Sequence, residues 1–320
     1  MLTPADLLRL PYTRDLTEGG IAYALRSLAY SFDRADTSPY NQLRRTIANV
    51  AVELAFRRHL SQNEIPFEVK AAAPFTDHER FDVHLNGRRC DIKSFFISNR
   101  SQIMELRRTP EILLNAPALV PSDQHARDGH SQKDMYIFAF ATGLTAASQA
   151  DLQQAIVKGQ PHHLVHTMPR EWRKPVNWNP LGELTLKSES AEELLVEISG
   201  QDEGRGVKRK TISLAPGTKV TVNESFYSVT SLHVRRVPEA RVGIRCEALP
   251  AAHIVSPFEW SNLWVYGMDI FLAGFVPYEE FRQNASTLLP NSKTFQYERT
   301  HVKNLYLPVS KLKPLRRLFE

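Results

Sequence analysis

Asp82 stands on one side of Asn86-Gly87, with Asp91 and Lys93 on the other, and that spacing brings two carboxylates and an amine together. The segment runs Arg80-Phe-Asp-Val-His-Leu85, then Asn86-Gly87, then Arg88-Arg-Cys-Asp-Ile-Lys93. Asn-Gly between two alternating runs is a strong hairpin signal, because both turn residues take positive φ. A two-residue loop sets Val83 opposite Cys90 and Asp82 opposite Asp91. Side chains alternate along strands, so Arg80, Asp82, His84, Arg89, Asp91 and Lys93 share one face. Phe81, Val83, Leu85, Cys90 and Ile92 take the other, with Arg88 the one misfit. Two carboxylates directly opposed cost a hairpin up to ~1 kcal/mol, and a bound cation reverses the sign. The chemistry that uses such a group is metal-assisted hydrolysis of a phosphodiester, where a divalent ion neutralises phosphate and activates water. Hard oxygen ligands such as Asp82 and Asp91 suit Mg²⁺ or Mn²⁺. Lys93 would orient or help deprotonate the attacking water and stabilise developing negative charge.

The elements that must hold these groups are legible on either side. Thr3-Pro4 reads as an N-cap and first residue of a short opening helix. Ser38-Pro39 opens a longer helix running to about Ser61, with Ile47, Val50, Ala51, Leu54 and Ala55 at helical spacing. Glu53 lies inside that apolar stretch, where a solvated carboxylate is out of place. Phe67-Glu-Val-Lys70 reads as a strand leading into the hairpin. Residues 103–115 predict one or two helices interrupted by Pro110, 116–133 predict a loop, and Met135 to Phe140 a buried strand.

Glu53 on a helix, then Asp82, then Asp91-Ile92-Lys93 resembles the active site of the PD-(D/E)XK nuclease superfamily, which includes many restriction endonucleases, junction resolvases and repair nucleases. The resemblance covers about residues 39–140, with 264–320 as a closing strand and tail. It implies an α/β fold, a mixed central sheet flanked by helices (restriction-endonuclease-like), with the hairpin at its centre. It implies Asp82 and Asp91 as metal ligands aided by the Ile92 carbonyl, and Lys93 as the catalytic lysine. Glu53 is then an auxiliary metal or water contact; on its residues alone it equally fits a buried ion pair with Arg57 or another base. Phe81 stands where the proline of the family motif would be. The activity implied is a metal-dependent endonuclease hydrolysing DNA, in restriction or phage defence. Two other readings stand beside it: a catalytically silent nucleic-acid-binding or assembly module on the same fold, and an RNA-directed nuclease.

Beyond Phe140 the pattern changes. A helix is expected near 147–158, then short alternating runs from Leu184 to Val255 punctuated by glycines, the signature of a small β-sandwich or barrel. The dense apolar run ending Asp269-Ile-Phe-Leu-Ala-Gly-Phe275 predicts a strand in the same sheet as 135–140, with 277–285 the next helix. The economical arrangement is a nuclease core of 1–140 plus 262–320 and a β-rich insert of 141–261 for substrate or partner recognition, with two consecutive domains the alternative. Lys208-Arg209-Lys210, expected in a turn, and Arg235-Arg236 at a strand end are candidate phosphate contacts. His162, His163 and His166 fit no zinc spacing. Lys311, Lys313, Arg316 and Arg317 make a basic tail, and Trp260, Trp264 and Tyr266 read as core. The loop 121–134, with His125 and Asp128, is a candidate flap.

The whole chain of 320 residues carries net charge +5, with 42% hydrophobic and 23% charged residues, which permits a polyanionic partner without requiring one. Two cysteines argue against a disulfide framework, no apolar run is long enough to span a membrane, and the N-terminus lacks the pattern of a signal peptide. A cytoplasmic protein is the expectation. Cutting both strands would call for two sites, hence a homodimer or a partner protein in a defence or repair system.

Overall fold

The computed structural model describes residues 2–31, 39–69, 83–127, 131–144, 146, 148–158, 163–174, 179–204, 206–262 and 268–319. The chain is mixed α/β and divides into two compact units, Met1–Gly20 with Ile47–Leu144 and Tyr266–Glu320, and Ile21–Thr46 with Thr145–Val265. Residues Ile21–Thr46 thus cluster with the second unit, whereas the sequence reading kept 1–140 together.

The first unit is built on a five-stranded mixed sheet. Its strands are β1 (Leu8–Leu10), β2 (Val83–Leu85), β3 (Arg88–Ile97), β5 (Met135–Thr142) and β15 (Ile270–Pro277), in the order β1-β15-β5-β3-β2. Only the β3–β5 pair is parallel. The return from β3 to β5 passes through α3 (Arg100–Arg108), a 3-10 turn over Pro110–Asn115, the short strand β4 (Pro117–Pro121) and α4 (Ser122–Arg127). β5 is buried at every residue, as a strand covered on both faces must be. Met135, Ile137, Ala139 and Ala141 pack with α1 (Arg14–Ser31), α2 (Pro39–Gln62) and α8 (Arg316–Phe319) through Leu16, Phe56 and Leu318. Tyr136, Phe138 and Phe140 pack on the other side with α3, α7 (Tyr278–Asn284) and a second sheet, β16 (Ser286–Leu288), β17 (Asn304–Pro308) and β4. β15 pairs with β5 as expected, but Ala273-Gly274 forms a bulge. After it the inward face switches from Leu272 to Phe275. Gly274 takes φ +155°, and a Cβ there would lie 2.6 Å from the Lys313 carbonyl oxygen.

Two departures from the sequence reading have clear causes. α1 went unforeseen because Gly19-Gly20 depresses helix propensity; a Cβ on Gly20 would lie 2.7 Å from the Ile47 carbonyl, so α2 packs where a side chain would stand. The segment 116–133 is not a plain loop: β4 is an edge strand, where Pro117 and Pro121 sacrifice no ladder hydrogen bond, and it buries Ala118, Leu119 and Val120.

The second unit is an antiparallel sandwich. One sheet orders β10 (Lys219–Phe226), β7 (Gly182–Ser188), β12 (Val242–Cys246) and β13 (His253–Val255). The other orders β14 (Ser261–Asn262), β6 (Leu164–Thr167), β11 (Ser228–Val234), β8 (Leu194–Gln201) and β9 (Val207–Leu214). Leu184, Leu186, Val242 and Ile244 of the first meet Val196, Ile198, Leu232 and Val234 of the second in one core, which also holds Trp172 and Trp260. α5 (Gln149–Val157) and α6 (Arg170–Arg173) supply Leu152 and Trp172 to it. Lys208-Arg209-Lys210 lies on β9, not in a turn, because Val207 to Leu214 pairs in register with β8 throughout.

Candidate functional site

The hairpin forms in the expected register. Asn86 and Gly87 take φ 49° and 72°, and Val83 pairs with Cys90, His84 with Arg89 and Leu85 with Arg88. Asp82, the next residue outward, lies outside the described residues, as do Phe81, Arg80 and Lys70. Alternation along β3 sends Cys90 and Ile92 toward the α2 side and Asp91 and Lys93 toward the side of Tyr136.

Asp91 and Lys93 are brought together. The Lys93 Nζ stands 2.6 Å from Asp91 Oδ2, with side chains only 14% and 20% exposed for lysine and aspartate. Besides the carboxylate, the Tyr136 ring at 5.5 Å and the Gln124 Oε1 at 3.4 Å hold the ammonium. A partly buried ion pair of this kind keeps its strength because water screens it poorly. Beside Lys93 opens a cavity of about 330 Å³. Polar groups dominate its walls, among them Asn49 from α2, Ser94, Gln124 and Asn304, and apolar Ile92, Phe95, Leu119 and Pro121 also line it. Ser94 donates to the Asn49 amide oxygen at 2.9 Å, which ties α2 to β3 at the cavity's edge.

Glu53 lies one helical turn beyond Asn49, on the helix that packs against the Cys90 side of the sheet. There it pairs with Arg57, the ion-pair alternative open at the level of sequence. Burial pushes its carboxyl above the ordinary range, and the Arg57 guanidinium opposes that shift. His84 faces Glu68, with 3.6 Å between Nδ1 and Oε2. Among the described residues no group of three His, Cys, Asp or Glu side chains is placed to hold a metal. Asp91 offers one hard oxygen donor of the kind a divalent cation takes, held against Lys93, and it is Lys93 that lines the polar cavity.

Several residues of the cavity carried no signal in the sequence. Gln124, Asn49 and Asn304 are amides, common on any surface, and only the fold turns them toward Lys93. Within the segment 121–134, read as a flap, Ser122–Arg127 form helix α4, with His125 buried and its Nδ1 3.0 Å from the Tyr136 hydroxyl. Asp128 lies outside the described residues.

The basic candidates elsewhere divide. Lys208 and Lys210 both reach Glu224 on β10, Lys208 at 3.2 Å, and Lys208 also stacks 4.9 Å from the Phe226 ring. Arg236 pairs with Glu192 and donates to the Glu193 carbonyl at 2.6 Å, while Arg209 is exposed and Arg235 follows β11. In the tail, Lys313 pairs with Glu280 at 2.5 Å and Arg316 with Asp6 at 3.0 Å, so both serve the fold. Trp260 is core, and Trp264 and Tyr266 lie outside the described residues. His163 stacks on His233, and His166 meets His253 with 2.9 Å between their Nε2 atoms; His162 lies outside the described residues. No helix among the described residues is long and apolar enough to cross a membrane. No protein-family model, curated protein or solved structure matches the chain.

Proposed function

We propose that the protein is a metal-dependent nuclease of the PD-(D/E)XK type, hydrolysing phosphodiester bonds of DNA. The observation that carries this reading is the Asp91–Lys93 pair, 2.6 Å apart and partly buried on the hairpin strand, beside a polar cavity. Asp82 and Asp91, with the Ile92 carbonyl, would hold Mg²⁺ or Mn²⁺, while Glu53, on the helix of the Cys90 side, keeps its ion pair with Arg57. Such an ion supplies phosphate neutralisation and an activated water. Lys93, released from Asp91 when a cation takes the carboxylate, would face the attacking water and the developing charge. Gln124 and Tyr136 would keep its ammonium in place meanwhile. The β-rich unit would recognise substrate or a partner protein, and a restriction or phage-defence role follows from fold-level analogy.

The same ion pair favours a second reading. Asp91 and Lys93 already satisfy each other, as they would in a catalytically silent nucleic-acid-binding module on the same fold.

Gel-resolved cleavage separates the two. Plasmid, linear and single-stranded DNA and RNA are incubated with Mg²⁺ or Mn²⁺, or with EDTA, using wild type and Lys93→Ala. Metal-dependent cutting by wild type alone is the expected result, and the substrate cut decides between DNA and RNA. Cutting that persists in Lys93→Ala would remove Lys93 from the reaction, and no cutting of any substrate would favour the silent module.

A further inference from the structure

A pair of like charges faces across strands in the β-rich unit. Along β7, Leu184, Leu186 and Ser188 are buried, so Thr185 and Lys187 belong to the open face of the sheet. The register carries that face across four strands. Lys219 lies opposite Lys187, Lys187 opposite Gly243, and Gly243 opposite Ile254. In the neighbouring row Thr221 lies opposite Thr185, and Thr185 opposite Arg245. Lys187, Lys219 and Arg245 are exposed and form no ion pair among the described residues. At the rim Arg241 is held by both Glu189 oxygens, at 2.9 and 3.0 Å.

Directly opposed lysines destabilise a sheet unless something anionic lies over them. The surface there is also hollow. Gly243 contributes no side chain, and a groove of about 200 Å³ opens between Lys187, Lys219, Arg245 and Ile254. Strand spacing and rise put the roots of the three free cations about 5–12 Å apart. That spread suits a string of charges better than one small anion. An extended acidic peptide would dock by main-chain hydrogen bonds along an edge strand such as β10, whereas the three cations are spread across β10, β7 and β12. No aromatic ring lines it, so bases would not be read there by stacking. What remains is contact with a phosphate backbone.

We propose that this open face of β10, β7 and β12 grips the phosphate backbone of duplex DNA through Lys187, Lys219 and Arg245. The identity of the polyanion rests on the nuclease reading; the charge pattern does not. Each lysine contact releases counterions and contributes about 0.9 to the slope of log affinity against log salt.

The test is fluorescence anisotropy of the full chain with a labelled duplex in EDTA, where no cleavage intervenes, from low to moderate salt. Lys187→Glu/Lys219→Glu should weaken binding at least tenfold and reduce the salt slope by about two. Lys158→Glu/Lys303→Glu, with the same change of net charge elsewhere, should lose far less. Lys187→Gln/Lys219→Gln guards against misfolding: it relieves the opposed charges, so its Tm should rise while binding still weakens. Unchanged affinity in both lysine pairs overturns the proposal, as does an equal loss in the control pair. Wild type that binds poly-glutamate and not the duplex overturns it in favour of an acidic peptide. Cleavage is scored separately. Binding through this face without cutting removes the nuclease reading alone, and cutting with undiminished affinity in the lysine variants removes this one alone.

Discussion

The two units cover their sheets differently, and their charges follow. In the first unit the five-stranded sheet is packed on both sides, and every residue of β5 is buried. Charges that enter such a place come paired. Lys93 meets Asp91, Arg107 meets Asp269 at 2.8 Å, and the Glu53 carboxylate takes Arg57. In the second unit the β10-β7-β12-β13 sheet gives one face to the common core and leaves the other open, and Lys187 and Lys219 stand there with no ion pair among the described residues. A covered sheet strengthens interactions between charges and suits bond-breaking chemistry. An open face screens them and suits reversible, salt-dependent holding. The lesson is that charges inside a covered sheet come paired, whereas an open face can carry like charges side by side.

The sharpest way to break this contrast is at Lys93. Lys93→Ala should lower the cleavage rate by about 10²–10⁴, the range for a positioned proton-transfer or charge-stabilising group. Duplex affinity in EDTA should change little, because the holding surface lies in the other unit. A rate loss matched by an equal affinity loss would mean that the division of labour is wrong.

Next in size is Gly274→Ala. The left-handed backbone at φ +155° and the 2.6 Å approach to the Lys313 carbonyl should together cost about 2–4 kcal/mol. All four tryptophans lie between residues 145 and 265, within the second unit's span, so their fluorescence reports that unit alone. The prediction is early loss of amide protection along β5 and β15 in hydrogen exchange, with the fluorescence midpoint unmoved. A shifted fluorescence midpoint would show that the units unfold together.

How much of this could be read beforehand follows the same divide. Short-period signals were legible: Asn86-Gly87 specified both the turn and the register, because positive φ at two successive positions admits few residues. Sandwich strands such as β7 and β9 were legible because an open face produces alternation. The pairing of 135–140 with the later apolar run was legible because both are apolar throughout. Hidden from sequence were features set by packing between distant segments. α1 depends on two glycines that propensity counts against it, and β4 is a three-residue apolar run between prolines. The partners of His166 and Lys208 are His253 and Glu224, in each case on a strand from another part of the chain. Gln124 and Asn304 meet at Lys93 by fold alone.

The histidine pair gives a smaller, pH-dependent test of the second unit. His166 on β6 and His253 on β13 join the two sheets, one imidazole donating to the other at 2.9 Å. Burial pushes both below the ordinary value of 6.5, and His166 lowers His253 further. Glu259 acts on both in the opposite sense, and Glu171 on His253, without reversing either shift. A histidine with a depressed folded pKa binds fewer protons folded than unfolded, so stability rises with pH across the interval. The contribution is present above 6.5 and is lost as pH falls through the folded values. Stability should therefore fall between pH 7.5 and 5. Urea unfolding followed by tryptophan fluorescence measures it. His253→Gln should flatten the pH dependence, and a variant that kept the full slope would place its origin elsewhere.

The smallest effect sharpens the comparison from the first unit's side. Gly87 takes φ +72° with no atom within 4 Å of where a Cβ would stand. Gly87→Ala therefore meets no clash, and its cost is backbone strain alone, about 1 kcal/mol. Gly274→Ala adds to backbone strain the close approach of Lys313, Leu2 and Leu312, so its cost should exceed that of Gly87→Ala. Hydrogen exchange in β2 and β3 should speed up in Gly87→Ala by about fivefold, the equivalent of that strain. The fluorescence midpoint should stay fixed, and cutting at 25 °C should persist, since a strained turn still keeps the register of the strands it joins. If cutting disappeared while protection held, the turn would be aiming the carboxylates by a margin finer than folding stability records.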